Sequence, residues 1–594
     1  MTTRSTRSPR RRTVVALAVV LAVIVAFAVR LVDIQVVNAD QHVKDSVTVG
    51  SLGEQVALKG TRGTITDSDG TVLARSTLLY DAQLSPVNVR DYYDPPDGKE
   101  PPVVGWDEMA AKIGAITGQT AQEVQQIVAD ALAEDADSQF AYLERGLTTE
   151  QYRDLAELGL PYLSFTSQPS RVYPEGAVAG NLVGFVGVDG SPLEGLEVTQ
   201  DECLAGTNGE ETFQRGKDGV VIPGTRSEQP AVDGGTLTLT IDSDLQWYLQ
   251  QLIAEQVNKY KSISGTITVV EAKTGKIRAA AEYPTVDPND FEAEGSYLTS
   301  RIFQDQFEPA STFKALTAAA LVDSGEATPS TTVTTPGRVT FSDGAQVRDM
   351  SLHDTVEYTL NGVLVESSNV GISKLSERLS AKKRYEYLKK FGIGEGSAVN
   401  FGNEAKGDLK PSSEWDNQQL HDTNYGQGVT TTIPELIGAY SAIANGGERV
   451  PLSLIESCTK ADGTVVKPAE GERVRVMSEK SAQQVTTMLE NVYMQAGYSD
   501  AIQVPGYRVA MKSGTGQKTD GKGHYKSGVW YTLMIGFAPA EDPQYIVAIT
   551  LDEPTTVKSS AADAEGFQKA ITQVMKTYRV MPSTGKATKL PVYQ

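Results

Sequence analysis

Histidine and cysteine are scarce in this chain of 594 residues, which holds four of the first and two of the second. His42, His353, His421 and His524 are scattered, and no His/Cys cluster has the spacing of a metal site. Hydrolases built on zinc or on a Ser-His-Asp triad therefore fit poorly. An exported protein could pair Cys203 with Cys458, but their sequence positions do not place them within bridging distance. A basic excess is missing too. The 54 Lys and Arg against 75 Asp and Glu leave a net charge of −21, with no basic stripe to offset it. Nucleic-acid binding is disfavoured on that ground, and the acidity suits the solubility of an exported domain.

The most apolar stretch lies at the N-terminus. Arg4, Arg7, Arg10, Arg11 and Arg12 precede an unbroken apolar run from Val14 to Val29, extended by Leu31 and Val32 beyond Arg30. This is enough to cross a hydrocarbon core of ~30 Å. The arginines hold the N-terminus in the cytoplasm and place the residues beyond Val32 outside. The alternative is a cleaved signal peptide ending at Ala26-Phe27-Ala28. The length of the run and the hydrophobicity that continues to Ile34 favour an anchor over residues 13–32 behind a cytoplasmic tail of residues 1–12.

The length predicts two or more domains. Residues 40–231 read as one, β-rich at first, with Val47, Val49, Val56 and Leu58, then Thr64-Ile65-Thr66 and Val72-Leu73-Ala74 around a turn at Asp67–Gly70. A loop is predicted from Asp91 to Pro102, helices at Trp106–Ile116, Ala121–Leu132 and Thr149–Leu158, and a glycine-studded connector from Asp201 to Ala231. A second domain spans 232–580, before a tail at 581–594. It opens with a strand through Leu237, Leu239 and Ile241, and Asp242 or Ser243 then caps a helix. Strands are predicted at Ile267–Val270, Ile277–Ala281, Gly506–Met511, Tyr531–Phe537 and Tyr545–Leu551, and a helix at Ala561–Lys576. Helices around a mainly antiparallel sheet make an α+β fold.

Three short motifs follow one another in that second domain: Ser311-Thr312-Phe313-Lys314, Ser367-Ser368-Asn369 and Lys512-Ser513-Gly514-Thr515. A serine and a lysine three apart share a helix face, so the amine can take the hydroxyl proton. Pro309 and the apolar run from Phe313 mark a helix start, which puts Ser311 where backbone N–H groups favour negative charge. Similar pieces recur at Ser380/Lys383, Ser583/Lys586 and Lys526-Ser527-Gly528. Their surroundings are a charged helix face, a Pro/Gly-containing tail and the lead into a strand, so they are set aside. Glu308 is assigned no catalytic role.

With these motifs the chain resembles the class B penicillin-binding proteins, most closely their septal, division-specific FtsI-like branch. Arg62-Gly63-Thr64-Ile65-Thr66-Asp67 and Arg171-Val172-Tyr173-Pro174 are similar to the opening motifs of that family's pedestal (dimerisation-type) domain. Ser68, Asn181 and Gly516 depart from its usual residues. The resemblance implies D,D-transpeptidation. Ser311 attacks the penultimate D-Ala carbonyl of a stem peptide ending in D-Ala-D-Ala, and an amine of a neighbouring stem resolves the acyl-enzyme. Penicillins acylate the same serine. Lys314 is the implied base, its pKa lowered by burial and by the Lys512 cation. Ser367 relays a proton to the leaving amine, and Asn369 binds Lys314 and the substrate amide. Ser513, Gly514 and Thr515 hold the terminal carboxylate. Backbone N–H groups of Ser311 and Thr515 form an oxyanion hole, worth ~3–4 kcal/mol per donor. No cofactor or metal is expected. The implied partner is a SEDS-type glycosyltransferase in the cell membrane. The alternatives are a β-lactam-binding sensor or scaffold, and a carboxypeptidase or β-lactamase of the same fold.

Overall fold

The computed structural model describes residues 9–33, 37, 54–89, 105–213, 225–521 and 524–594. The arginines at positions 4 and 7, the strand expected around Val47 and Val49, the loop from Asp91 to Pro102 and the middle of the 201–231 connector lie outside the described residues.

Two compact units are present. One is drawn from the described residues up to Gly60 and between Gly206 and Asp233. It contains the helix Pro9–Val32, whose segment Thr13–Val32 has a mean hydropathy of 2.9 and is long and apolar enough to cross a membrane. Arg30 pairs with Asp33 at 2.6 Å near its end. The same unit holds an antiparallel sheet of Glu54–Leu58, Gly209–Phe213 and Ser227–Gln229, so part of the expected connector is strand.

The other unit takes in Thr61–Ala205 and Gly234–Gln594. Its five-stranded antiparallel sheet runs in the order Ile277–Tyr283, Ser264–Glu271, Tyr545–Asp552, Tyr525–Ala538 and Ala510–Thr519. Residues 264–270 and 545–551 are buried without alternation, the mark of strands covered on both faces. Helices Ser243–Tyr260 and Ala564–Thr577 pack on this sheet, the first capped by Asp242, which accepts from Leu245 N at 3.0 Å. The last strand of the order, Ala510–Thr519, is hydrogen-bonded on one side, to Tyr525–Ala538.

A second sheet of seven strands is not foreshadowed by the local sequence pattern. Val465–Val466, Ile455–Thr459, Thr236–Leu239, Ile65–Thr66, Val72–Leu84 and Ala141–Leu147 are ordered side by side, and Leu163–Val172 also pairs with Val72–Leu84. Ile65–Thr66 lies parallel to Thr236–Leu239, so the start of the first predicted domain shares a sheet with the start of the second. Buried Asp67 reinforces the join by accepting from Ser243 N (3.2 Å) and Oγ (2.6 Å) at the head of the helix Ser243–Tyr260. The Arg62 and Arg171 motifs meet on Glu197, a fully buried carboxylate that takes both guanidinium groups, with Asp201 also bound to Arg62. Charges this deep persist only when paired. Cys203 and Cys458 are bridged, their Cα atoms 6.1 Å apart and 255 residues apart in the chain. A small separate core around Ile113, Val124, Leu143, Leu147 and Leu155 holds the helices Trp106–Thr117, Ala121–Glu134 and Thr149–Glu157 where they were expected.

Candidate active site

The helix Phe313–Asp323 is almost wholly buried, and its small alanines let neighbouring elements approach closely. It does not begin at Pro309. Ala310–Thr312 form a 3-10 turn, with Ala310 at φ +49° and its N–H held by Gly426 O at 2.9 Å. Ser311 is half-buried at this turn, which Thr312 closes by donating to Pro309 O at 2.6 Å and Tyr440 ties down by donating to Thr312 O at 2.9 Å. One turn on, Lys314 is fully buried and its Nζ reaches Ser311 Oγ at 2.9 Å.

Ser367 meets the same amine. It sits between the helices Leu360–Val365 and Asn369–Ser376 at φ +56°, a left-handed conformation that costs a non-glycine residue about 1–3 kcal/mol. The turn aims both oxygens of Ser367 at Lys314 Nζ, the carbonyl at 2.5 Å and Oγ at 3.2 Å. Ser368 is the cap of the following helix, accepting from Gly371 N at 2.9 Å and donating to Asp349 Oδ2 at 2.7 Å. Asp349 also takes Val370 N (2.9 Å) and His353 Nε2 (2.9 Å). Asn369 is placed differently from the sequence expectation. Its Nδ2 donates to Arg348 O at 3.0 Å, and no bond joins it to Lys314.

Lys512 completes the group from the sheet. Lys512 to Thr515 lie inside the edge strand rather than after it, because the strand begins at Ala510 and not at Gly506. Lys512 is fully buried, and its Nζ lies 3.1 Å from both Ser367 Oγ and Ser513 O. One hydroxyl thus bridges two amines. Burial and the nearby Lys512 hold the Lys314 ammonium well below the ordinary lysine range, against the opposing pull of Asp349. Burial pushes Lys512 down to about 7. Alternation along the strand sends Ser513 and Thr515 to the other face from Lys512. Ser513 Oγ accepts from Tyr498 OH at 2.8 Å and Thr515 Oγ1 from Ser560 N at 3.0 Å. Each hydroxyl that accepts in this way keeps its own proton to donate. Gly514 is required by close approach, since a Cβ there would stand 2.7 Å from Leu533 Cδ2 and 3.1 Å from Pro309 O. A Cβ at Gly516 would meet Glu308 O at 2.9 Å, so the missing methyl sets how closely the strand lies against the serine turn.

Asp349 and Tyr498 carried no signal in the sequence, lying 19 and 15 residues from the hydroxyls they bind, whereas Tyr440 falls in Ala439-Tyr440 to Asn445-Gly446-Gly447, a stretch similar to a family segment beside the active site. Glu308 is more than a helix charge. It accepts from Gly428 N at 2.9 Å and from Tyr525 OH at 2.9 and 3.1 Å, and burial raises its carboxyl to about 7. The look-alike motifs have other duties. Ser380 caps a helix by accepting from Lys383 N, Ser583 joins Arg508 N to Glu541, and Lys526 lies 3.8 Å from Glu553.

A half-buried serine on a 3-10 turn and a buried lysine one turn on, faced by a Lys-Ser-Gly-Thr edge strand and a Ser-Ser-Asn turn, make up a serine–lysine site on an α+β scaffold. Residues 265–573 match the penicillin binding protein transpeptidase domain, and residues 57–192 the penicillin-binding protein dimerisation domain. The chain belongs to the class B penicillin-binding proteins, which carry this pair of domains. It is 36% identical over 433 residues to the penicillin-binding protein PbpB of Mycobacterium tuberculosis, a match covering 70% of this chain and 63% of that relative. The chain thus matches less than two thirds of that relative's length. It is 27% identical over 572 residues to the peptidoglycan D,D-transpeptidase FtsI of Escherichia coli, covering 95% and 92%. Among solved structures, penicillin-binding protein 3 of Mycobacterium tuberculosis in complex with ampicillin is similar with a TM-score of 0.70 at 26% identity, over 91% of this chain and all of that one.

Proposed function

We propose that this protein is a membrane-anchored peptidoglycan D,D-transpeptidase of septal cell-wall synthesis, acylated at Ser311 by stem peptides and by penicillins. The observation that carries this reading is the convergence of Lys314 and Lys512 on Ser367 Oγ, with Lys314 also on Ser311 Oγ. In this reading residues 1–12 are cytoplasmic, 13–32 cross the membrane, 40–231 form the pedestal and 232–580 form the catalytic domain outside the cell, against which the end of 581–594 is hydrogen-bonded rather than left as a free tail.

The chemistry runs through these groups. Lys314, neutral because it is buried beside another amine, takes the Ser311 proton as Oγ attacks the penultimate D-Ala carbonyl. Backbone N–H groups of Ser311 and Thr515 receive the oxyanion. The proton passes through Ser367 to the leaving D-Ala nitrogen. An acceptor amine then attacks the ester and loses a proton to Lys314, which returns it to Ser311 Oγ as the ester C–O bond breaks, leaving a new amide bond and the free serine. Lys512 supplies positive charge toward the substrate carboxylate, which Ser513 and Thr515 hold by hydroxyl donation. The open edge around Gly514 takes the extended peptide as an added strand. Asn369, tethered through Nδ2, offers its amide oxygen to the substrate N–H.

Acyl-enzyme lifetime tests the reading. A penicilloyl adduct on the purified protein should persist for many minutes, as read by intact mass. Rapid return of free enzyme with steady penicillin hydrolysis would make it a β-lactamase instead.

The partner we propose is a SEDS-type glycosyltransferase, which would polymerise the strands this enzyme cross-links. Ala18, Ala22 and Ala26 share one face of the helix Pro9–Val32, the kind of surface on which helices pack closely in lipid. Changing all three to Leu should preserve membrane retention and penicillin binding while weakening co-purification with the glycosyltransferase. Unchanged co-purification would remove this face from the interface.

A further inference from the structure

The segment Thr588–Gln594, expected from sequence to be a plain tail, is bolted between two elements of the catalytic region. On one side it meets the helix Leu360–Val365. Thr359 N donates to Val592 O at 3.0 Å, Thr359 Oγ1 to Pro591 O at 2.7 Å, and the fully buried Asn361 to Pro591 O at 3.2 Å. Tyr593 pairs with Tyr358 as a β-bridge, their rings 5.6 Å apart. The fit leaves no room for a side chain at Gly362, where a Cβ would stand 1.9 Å from Val592 O. On the other side, the fully buried Asn491 of the helix Glu479–Gln495 commits both ends of its amide to the segment. It donates to Thr588 O at 2.9 Å and accepts from Leu590 N at 2.8 Å. Gln495 adds a bond to Leu590 O at 3.1 Å.

These contacts converge on the element that leads into the site. The helix Leu360–Val365 has six residues, too few to be stable by itself. It runs directly into Ser367, whose left-handed turn presents two oxygens to Lys314 and one to Lys512. A conformation of that kind persists only where its surroundings over-determine it. Downstream, the Ser368–Asp349 bond supplies that constraint. Upstream, Leu360 N and Asn361 N bond Thr331 O (2.8 Å) and Pro329 O (3.0 Å), and Thr588–Gln594 adds its bonds to Thr359 and Asn361 on another side.

We infer that Thr588–Gln594 is a strap that positions Ser367 against the two lysines, with Asn361, Gly362 and Asn491 as its seats. These are positioning residues, acting through Ser367 rather than on substrate. The inference rests on the reading of Ser311 as the acylated serine. The two fail differently: an intact chain that never acylates overturns that reading, whereas failure of the strap leaves acylation of the intact chain untouched.

The test is penicillin acylation of the full-length protein with and without residues 588–594, resolved into prior binding affinity, acylation rate constant and final acylated fraction. Loss of the strap should lower the rate constant about ten- to hundredfold, the scale of a small misplacement of catalytic groups, with prior affinity little changed. Gly362→Ala in the intact chain should lower it likewise by unseating Val592, and should add nothing once the segment is gone. Should the shortened chain not fold, Gly362→Ala decides alone. A rate constant unchanged in Gly362→Ala, or a shortened chain that loses only acylated fraction, would overturn the strap.

Discussion

Brief exposure of the purified protein to a penicillin should place one adduct on Ser311, and the Ser311→Ala protein should fold yet take up none. The serine is half-buried on the 3-10 turn Ala310–Thr312 with Lys314 Nζ 2.9 Å from its oxygen. The rival serines are otherwise engaged: Ser380 caps a helix, and Ser583 accepts from Arg508 N while donating to Glu541. Replacing Ser311 by Ala removes one hydroxyl from a well-supported turn, so the melting transition should move little. Peptide mapping after mass measurement decides the matter. An adduct on another serine, or on Ser311→Ala itself, would refute the assignment.

Lys314→Arg should abolish acylation while keeping the positive charge. A guanidinium does not give up its proton at any workable pH, so it cannot serve as the base. The expected loss is ~10²–10⁴-fold, the usual contribution of a positioned general base. The pH dependence has the same cause. Burial and Lys512 lower the Lys314 pKa, so its amine is neutral over a range where an ordinary lysine is charged. Acylation by the wild-type protein should therefore rise with pH through a limb lying well below 10.5, and Lys314→Arg should lack that limb. An Arg variant retaining more than about a tenth of the wild-type rate would place the base elsewhere.

Much of this site is legible in sequence because its parts are short and local. A serine and lysine one turn apart, a serine cap before Asn369 and a glycine inside a strand are patterns of a few residues. The same holds for the strand Tyr545–Asp552, for the Tyr531–Phe537 part of the strand Tyr525–Ala538 and for the cap at Asp242. The hidden parts depend on long-range pairing. Nothing near Asp349 announces that it will brace Ser368, and nothing near Tyr498 that it will bond Ser513. The Cys203–Cys458 bridge, spanning 255 residues, and the parallel pairing of Ile65–Thr66 with Thr236–Leu239 arise only when the sheets assemble. The C-terminal residues looked like a tail because their hydrogen-bond partners, Thr359 and Asn491, lie far upstream. Local pattern also misplaced two starts, the helix after Pro309 and the strand before Lys512, where tertiary contacts with Gly426 and Tyr525–Ala538 set the geometry.

The central claim is that the Ser311 acyl group passes to an amine rather than to water. Its most direct measurement gives the purified full-length protein a stem peptide ending in D-Ala-D-Ala, with and without a second peptide bearing a free side-chain amine, and tracks released D-Ala and the new amide by mass. The prediction is an amide cross-link formed in step with D-Ala release, accelerated by the acceptor and absent in Ser311→Ala. D-Ala release at the same rate without acceptor, yielding only the hydrolysed peptide, would contradict it.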